Sequence, residues 1–303
     1  MPSQPALPPE FDPACYAALP HGADLVGRDP ATLAAHYQAY GAAEGRPCSA
    51  VTSRAAFLTL LPAAGPLLEI GPFCAPWPAE HRAEKVSYLD IMPTAALRAT
   101  AATLPWADAD RVPEIDYVWR GEPYRALIRE RFDTILSSHC IEHQPCLVTH
   151  LTDLASVLTP AGRVFLVIPD HRYAFDHYLP TSTLADVLAA YAAATPRHAP
   201  RSVIAQHLWQ THNDPAAHWH GDHGPTPDDA ADPALPGRVA AALAALRDPI
   251  LAHDLHAWQF TPSSFRAMID ALAIAGLSPL RIERLYPTLR DRGEFYAVLH
   301  VAA

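Results

Sequence analysis

The chain has 303 residues, half of them apolar, with 22 basic against 32 acidic side chains and a formal charge of −10. This composition supports a full core, excludes wholesale disorder and argues against a nonspecific binder of nucleic acid or anionic membrane. The length suits one large domain with additions. No apolar run approaches the roughly 18–20 residues needed to span a bilayer. Met1-Pro-Ser-Gln-Pro has neither a basic start nor an apolar stretch, so no signal peptide is expected. Cys15, Cys48, Cys74, Cys140 and Cys146 are odd in number and lack C-x-x-C spacing. That argues against a disulfide framework or a cysteine zinc site and points to a cytoplasmic protein with reduced thiols.

Thirty-two prolines against 13 glycines punctuate the chain. They cluster at 2–13, 72–78, 196–200 and 225–236, where helices and strands must stop. The reading is an N-terminal tail and small helical extension over 1–50, then a larger domain over 51–303 with an insertion at about 195–252. Leu33, His36, Tyr37 and Tyr40 fall at helical spacing, with Gly41 or Gly45 to end the helix. The stretch from Phe11-Asp12-Pro13 through His36-Tyr37 to Glu44-Gly45-Arg46-Pro47 resembles a short module of bacterial glycan-processing proteins. The plainer reading is a helical extension packed on the core.

From residue 67 onward strands and helices alternate, which predicts a parallel sheet wrapped by helices. Strands are expected at 67–70, 85–90, 132–137 and 164–168. A helix with Leu147, Leu151, Leu154, Ala155 and Leu158 on one face precedes Thr159-Pro160-Ala161-Gly162, which is expected to end it. Thr261-Pro262 offers an N-cap and an N1 proline for a helix closing at Gly276. Runs at 280–286 and 295–301, separated by Asp291-Arg292-Gly293, read as a final antiparallel pair.

Open parallel sheets bind ligands beyond the carboxyl ends of their strands. Glu69-Ile70-Gly71 closes the first strand, and Gly71 lets the backbone pass close to a ligand. Asp90 closes the second, placed to accept from both hydroxyls of a ribose. Ser137-Ser138-His139-Cys140-Ile141-Glu142-His143 closes a later one. The loop Gly71-Pro72-Phe73-Cys74-Ala75-Pro76 has a single glycine, which is poor for the pyrophosphate of NAD or FAD and suits a nucleoside without phosphates.

Leu68-Glu69-Ile70-Gly71-Pro72-Phe73, Tyr88-Leu89-Asp90, the 132–143 run and Leu158-Thr159-Pro160-Ala161-Gly162-Arg163 through Ile168-Pro169-Asp170 together resemble class I S-adenosylmethionine-dependent methyltransferases, across 67–303. The resemblance implies an α/β, Rossmann-like, doubly wound seven-stranded sheet, mostly parallel with an antiparallel last strand, and S-adenosylmethionine as cofactor. It implies that Glu69 and Gly71 contact the methionine part of the cofactor and that Asp90 holds the ribose. Asp116 would lie toward adenine, and Ser138 and His139 would flank the methyl group. Pro72, Phe73 and Ile91 complete the implied cofactor-binding set. Phe73 and Ala75 stand where the family often carries its later two glycines. That departure leaves weaker cofactor binding, a proline-braced loop or lost activity open.

Seventeen histidines is a high count, and His207, His212, His218, His220 and His223 fall within seventeen residues, followed by His253 and His256. With Asn213, Asp214 and Asp222 interleaved, His218, His220 and His223 are candidates for Zn²⁺, Fe²⁺ or Mn²⁺. His212, His218 and His223 are read first as a substrate or catalytic lining, with a solvated loop and a metal site as the other readings. The insertion is too long for an idle connection and reads as a lid or recognition element.

Methyl transfer is an in-line displacement at a sulfonium carbon, so the protein aligns the acceptor and removes its proton. Histidine offers a base of suitable strength. His139 and His143 come first for this role, then His171 and Asp170, with Arg172 and Tyr173 facing the acceptor. The expectation is a methyltransferase acting on a hydroxyl, less readily an amine, of a small molecule or glycan, without nucleic-acid or membrane partners. A non-catalytic nucleoside-binding scaffold and a metal-assisted enzyme built on the insertion are the alternatives.

Overall fold

Runs such as Leu67-Leu68-Glu69-Ile70 and Val164-Phe165-Leu166-Val167-Ile168 lack polar alternation, so each must be covered on both faces. The computed structural model describes residues 7–18, 25–77, 86–194, 197–227, 232–247 and 255–302. It gathers these runs into one sheet of β1 (Leu67–Ile70), β2 (Val86–Asp90), β3 (Tyr117–Val118), β4 (Phe132–Ser138), β5 (Leu158–Pro169), β6 (Leu280–Tyr286) and β7 (Glu294–Val301). The order is β3-β2-β1-β4-β5-β7-β6. Pairing is parallel from β3 through β5, and β7 runs antiparallel to both β5 and β6. This is the doubly wound, seven-stranded sheet with a reversed last strand that was expected. Lys85, placed in the second strand by its sequence, lies outside the described residues.

Three short helices precede the sheet: α1 (Pro13–Ala18), α2 (Pro30–His36) and α3 (Arg54–Leu58). Between β2 and β5 come α4 (Thr94–Ala101), α5 (Tyr124–Leu127) and α6 (Leu147–Val157). After β5 come α7 (Leu184–Ala193), then α8 (Pro200–Trp209), α9 (Pro215–Trp219) and α10 (Leu235–Ala245) in the insertion, and α11 (Pro262–Ile274). Thr261 caps α11 through Ser264 N–H, with Pro262 at its first position, as the sequence indicates. No helix among the described residues is long and apolar enough to cross a membrane.

One face of the sheet is covered by α6 and α11, whose Leu151, Leu154, Phe265 and Leu272 are fully buried against it. On the other face α3 inserts Phe57, which is 0% exposed, stacked on Tyr296 with centroids 4.8 Å apart, and in contact with Phe165 and Tyr286. In the N-terminal extension Tyr16 OH bonds His36 Nδ1 at 2.9 Å, and the rings of Phe11, Tyr16 and Tyr37 pack together. The helix carrying His36, Tyr37 and Tyr40 widens into a π turn over Tyr37–Gly41 before it ends.

One expectation needs correction. Thr159-Pro160-Ala161-Gly162 does not separate helix from strand but lies inside β5. Leu158 already pairs with Phe132, and the next pair is Thr134 with Arg163. The extra residues are absorbed as a bulge, held where Arg131 donates to the Leu158 carbonyl at 2.7 Å.

Phe57→Ala should cost about 3–5 kcal/mol, read as a lower urea midpoint with unchanged slope. An unchanged midpoint would show that α3 is not pinned to the sheet.

Candidate functional site

Ile70 pairs with Leu89 on one side and Ser137 on the other, and Gly71 N–H donates to the Leu89 carbonyl at 2.9 Å. Gly71, Asp90 and Ser138 therefore end at one level along the carboxyl rim. Gly71 has φ +66, and a Cβ there would lie 2.4 Å from Cys140 Sγ, so both conformation and contact require glycine. Glu69, buried on β1, accepts the Trp77 N–H on both oxygens at 3.0 Å and folds the proline-rich loop back over the strand end. Burial pushes the Glu69 carboxyl up to about 7, against the opposing effect of that N–H. Phe73 adopts φ +41, the left-handed conformation that a glycine would take freely, with its ring edge-on to Trp106 at 5.9 Å. Pro72 joins Gly71 to it.

Asp90 is buried and accepts Met92 N–H at 3.1 Å, and burial raises its pKa. Ile91 beside it is exposed. Asp116 turns back to the sheet, where its carboxylate accepts Tyr88 N–H at 2.9 Å while its own N–H donates to the Tyr88 carbonyl.

Across β4 the rim changes character. His139 has φ +52 and donates its main-chain N–H to the Val167 carbonyl at 2.9 Å. Its ring Nε2 lies 3.0 Å from Glu294 Oε2 and 3.1 Å from Arg54 Nη2, and Arg54 is also paired with Glu294. Burial pushes Glu294 up, but the hydrogen bonds from Arg54 and His139 outweigh it and hold the carboxyl at about 2. His139 Nε2 thus sits between the Glu294 carboxylate, which accepts, and the Arg54 guanidinium, which donates.

The turn over Ile141–His143 brings Glu142 beneath this ring. Glu142 is 0% exposed, and neither of its oxygens has a hydrogen-bond partner among the described residues. Its Oε1 lies 3.6 Å from His139 Nδ1, 3.7 Å from His143 Nε2 and 3.9 Å from His256 Nε2. Burial raises the Glu142 pKa, with His139 and His256 opposing. Burial and the neighbouring His256 push His143 down to about 3. On its other side His256 bonds through Nδ1 to the buried Asp176 Oδ2 at 2.9 Å.

A cavity of about 430 Å³ opens here, lined by His139, Tyr173, Asp214, His256 and Glu294 among others. Its outer wall is the start of α9, so the insertion does stand over the strand ends next to His139. Tyr173 is stacked on Trp219 with centroids 4.1 Å apart.

Other expected residues are brought together differently. Asp170 is fully buried; Arg172 grips both of its oxygens at 2.9 and 2.6 Å, and Thr288 donates to Oδ2 at 2.6 Å. The pair braces the turn after β5, and neither member lines the cavity. His171 is buried and bonds Thr181 through Nε2 at 2.9 Å, with burial lowering its pKa. His212, His218 and His223 form a stacked ladder one layer behind the cavity wall, with His177 added from the turn after β5. His218 and His223 meet through Nδ1 atoms 3.0 Å apart, whereas the exposed His220 turns away to bond the Ala216 carbonyl at 2.7 Å. The expected trio of His218, His220 and His223 is therefore not assembled, because the two-residue step from His218 to His220, about half a helical turn at the end of α9, points His220 to the opposite side. His253 lies outside the described residues.

Arg54, Glu142, Asp176, His256 and Glu294 were not singled out as site residues. Glu142 had a local signal, flanked by His139 and His143. The others reach the site from distant segments.

No family model and no curated protein matches the sequence. Solved structures do match. The mitomycin 7-O-methyltransferase MmcR is 14% identical with a TM-score of 0.37, over 79% of this chain and 49% of that one. The complex of DhpI with SAH is 12% identical with a TM-score of 0.40, over 96% and 95%. A Rhodobacter sphaeroides structure described as a Zn-dependent alcohol dehydrogenase is 13% identical with a TM-score of 0.44, over 86% and 92%. The chain spans about half the length of the first of these. Such distant likenesses carry no function, and the fold assignment rests on strand order and register. With β1 at the crossover point, β7 reversed between β5 and β6, and three strand ends level at the rim, the chain has a Rossmann-like, doubly wound fold with a reversed last strand.

Proposed function

We propose that this protein is an S-adenosylmethionine-dependent methyltransferase whose acceptor is a hydroxyl of a small molecule or glycan. The observation that carries this reading is the level alignment of Gly71, Asp90 and Ser138 beside a cavity that begins at His139. The rim residues suit the cofactor. Asp90 is buried, yet among the described residues its carboxylate accepts only from main-chain N–H groups of its own turn, Met92 and Ile91. Such a group gains from vicinal hydroxyl donors. Glu69, Gly71, Pro72 and Phe73 would hold the methionine part, Asp90 and Ile91 the ribose, and Asp116 the adenine side, with Ser138 and His139 nearest the methyl group. The cofactor, when bound, supplies an electrophilic methyl.

The remaining work belongs to this chain. His139 lines the cavity and takes the proton from an acceptor hydroxyl, with the Glu294 carboxylate beside Nε2 to stabilise the imidazolium so formed. Arg54 keeps Glu294 ionised for that purpose. His143, pushed down to about 3, is neutral at pH 7 and faces Glu142 as a hydrogen-bond or ligand atom. Asp170 and Arg172 hold the turn that presents Tyr173 to the cavity. The Tyr173–Trp219 stack gives the wall an apolar, planar element suited to a ring-shaped acceptor.

Calorimetric titration should give saturable S-adenosylmethionine binding that Asp90→Ala weakens at least about tenfold, the worth of one lost charge-assisted hydrogen bond. No heat at high micromolar cofactor would overturn the reading. His139→Ala should lower turnover by roughly 10²–10⁴ with cofactor affinity unchanged, and unchanged turnover would remove His139 from the mechanism.

Glu69 yields a pH prediction. Its folded-state pKa is raised, so without cofactor its contribution to stability is complete below about 4.5 and is lost as pH rises to about 7. The loss is on the order of 3 kcal/mol. Glu69→Gln should flatten the fall in melting temperature across that window, and an identical pH profile would contradict the assignment.

A further inference from the structure

We infer that Glu142, His143 and His256 form a binding site for one divalent first-row transition-metal ion beside the cavity, which His256 also lines. Their candidate ligand atoms all lie within 4.8 Å of one another. They come from two segments, the turn after β4 and the strand-like stretch leading into α11, which the fold brings face to face: the Ala257 and Trp258 N–H groups both donate to the Glu142 carbonyl.

The first argument is the unpaired carboxylate. An ionised carboxylate in a protein interior is paired, hydrogen-bonded or bound to a metal, because removing it from water costs several kcal/mol. Glu142 is 0% exposed, and both oxygens lack a hydrogen-bond partner among the described residues. What surrounds Oε1 instead is imidazole nitrogen, at 3.7 Å from His143 and 3.9 Å from His256. Around a tetrahedral ion with bonds of about 2.0–2.2 Å, ligand atoms sit roughly 3.3–3.6 Å apart. The two carboxylate–imidazole distances need to close by a few tenths of an ångström, and the two imidazoles, whose ligand atoms lie within 4.8 Å, by a rotamer adjustment.

The second argument is the layer behind the ligands. Metal-bound histidines characteristically donate their other ring nitrogen to a carboxylate or carbonyl, which fixes the tautomer. His256 does so to Asp176 Oδ2 at 2.9 Å, directing Nε2 at Glu142, and the His143 ring is hydrogen-bonded to the main chain of Leu255. His139 Nδ1 faces the same Glu142 oxygen at 3.6 Å with Glu294 behind it. Of the three ligands, His256 lines the cavity.

The donor set of two imidazoles and one carboxylate suits zinc, iron, cobalt or manganese over magnesium or calcium. The other histidine cluster is a poorer host. His177 and His223 are stacked 3.9 Å apart at 12°, so their lone pairs run side by side. The metal site lies apart from the Glu69–Asp90 rim and does not depend on methyl transfer.

The test is titration of the chelator-treated, tag-free full chain with Co²⁺, read by its visible d–d absorption, with Zn²⁺ as competitor. One equivalent should bind, with Zn²⁺ displacing the bands. Glu142→Gln, of the same shape, should weaken binding at least about 100-fold, and Asp176→Asn about 10–100-fold, the usual cost of losing such a backing carboxylate. His218→Ala should leave it unchanged. Circular dichroism checks each variant for folding. If the folded wild-type chain retains no Co²⁺, or if folded Glu142→Gln and His256→Ala chains bind as tightly as wild type, or if only His218→Ala abolishes binding, the proposal is overturned. Failure of S-adenosylmethionine to bind in calorimetry would leave this result untouched, so the two readings fail separately.

Discussion

Parallel pairing of β1 with both β2 and β4 is the constraint on which the rest depends. Pairing Ile70 with Leu89 and with Ser137 sets three strand ends side by side, so residues 71, 90 and 138 share one rim although the chain separates them widely. A one-residue slip in either pair would turn each side chain of the strand to the opposite face. Burial of Leu67, Leu68 and Ile70, each under 5% exposed, makes that slip prohibitive. The rim is thus a product of core packing.

Beyond β4 the organising principle becomes electrostatic. Carboxylates alternate with imidazoles in two short relays, Glu294 to His139 and Asp176 to His256, and both converge on Glu142. Each outer carboxylate orients a ring. The inner one is buried without a hydrogen bond among the described residues. Three imidazole nitrogens, of His139, His143 and His256, instead face its Oε1 at 3.6, 3.7 and 3.9 Å.

The additions to the sheet serve this side of the molecule. Arg54, on the helix that also inserts Phe57, reaches Glu294 and His139. Glu10 accepts the Leu285 N–H at 2.6 Å, and the Gly45 carbonyl accepts the Arg290 N–H at 2.9 Å, so the N-terminal extension is fastened to β6 and to the loop before β7. Trp219 of the insertion donates to the Arg292 carbonyl at 2.9 Å and stacks on Tyr173. Loop and insertion both line the cavity, and the extension fastens the loop.

Much of this was legible in the residues alone. Unbroken apolar runs, the Thr261-Pro262 cap and the closing pair of strands determined the sheet's class and its reversed last strand, because burial and capping are local consequences of side-chain type. Glu69, Gly71 and Asp90 were legible for the same reason, each sitting at the end of a readable strand. The bulge that absorbs Thr159 to Gly162 was not, since pairing with Phe132 overrides a local turn preference. Nor could the histidines be sorted by spacing. His220 shares a segment with His218 and His223 but faces away, while His256 meets Glu142 from 114 residues along the chain. Which imidazoles share one point in space depends on how distant segments cross the strand ends, and only the tertiary structure decides that.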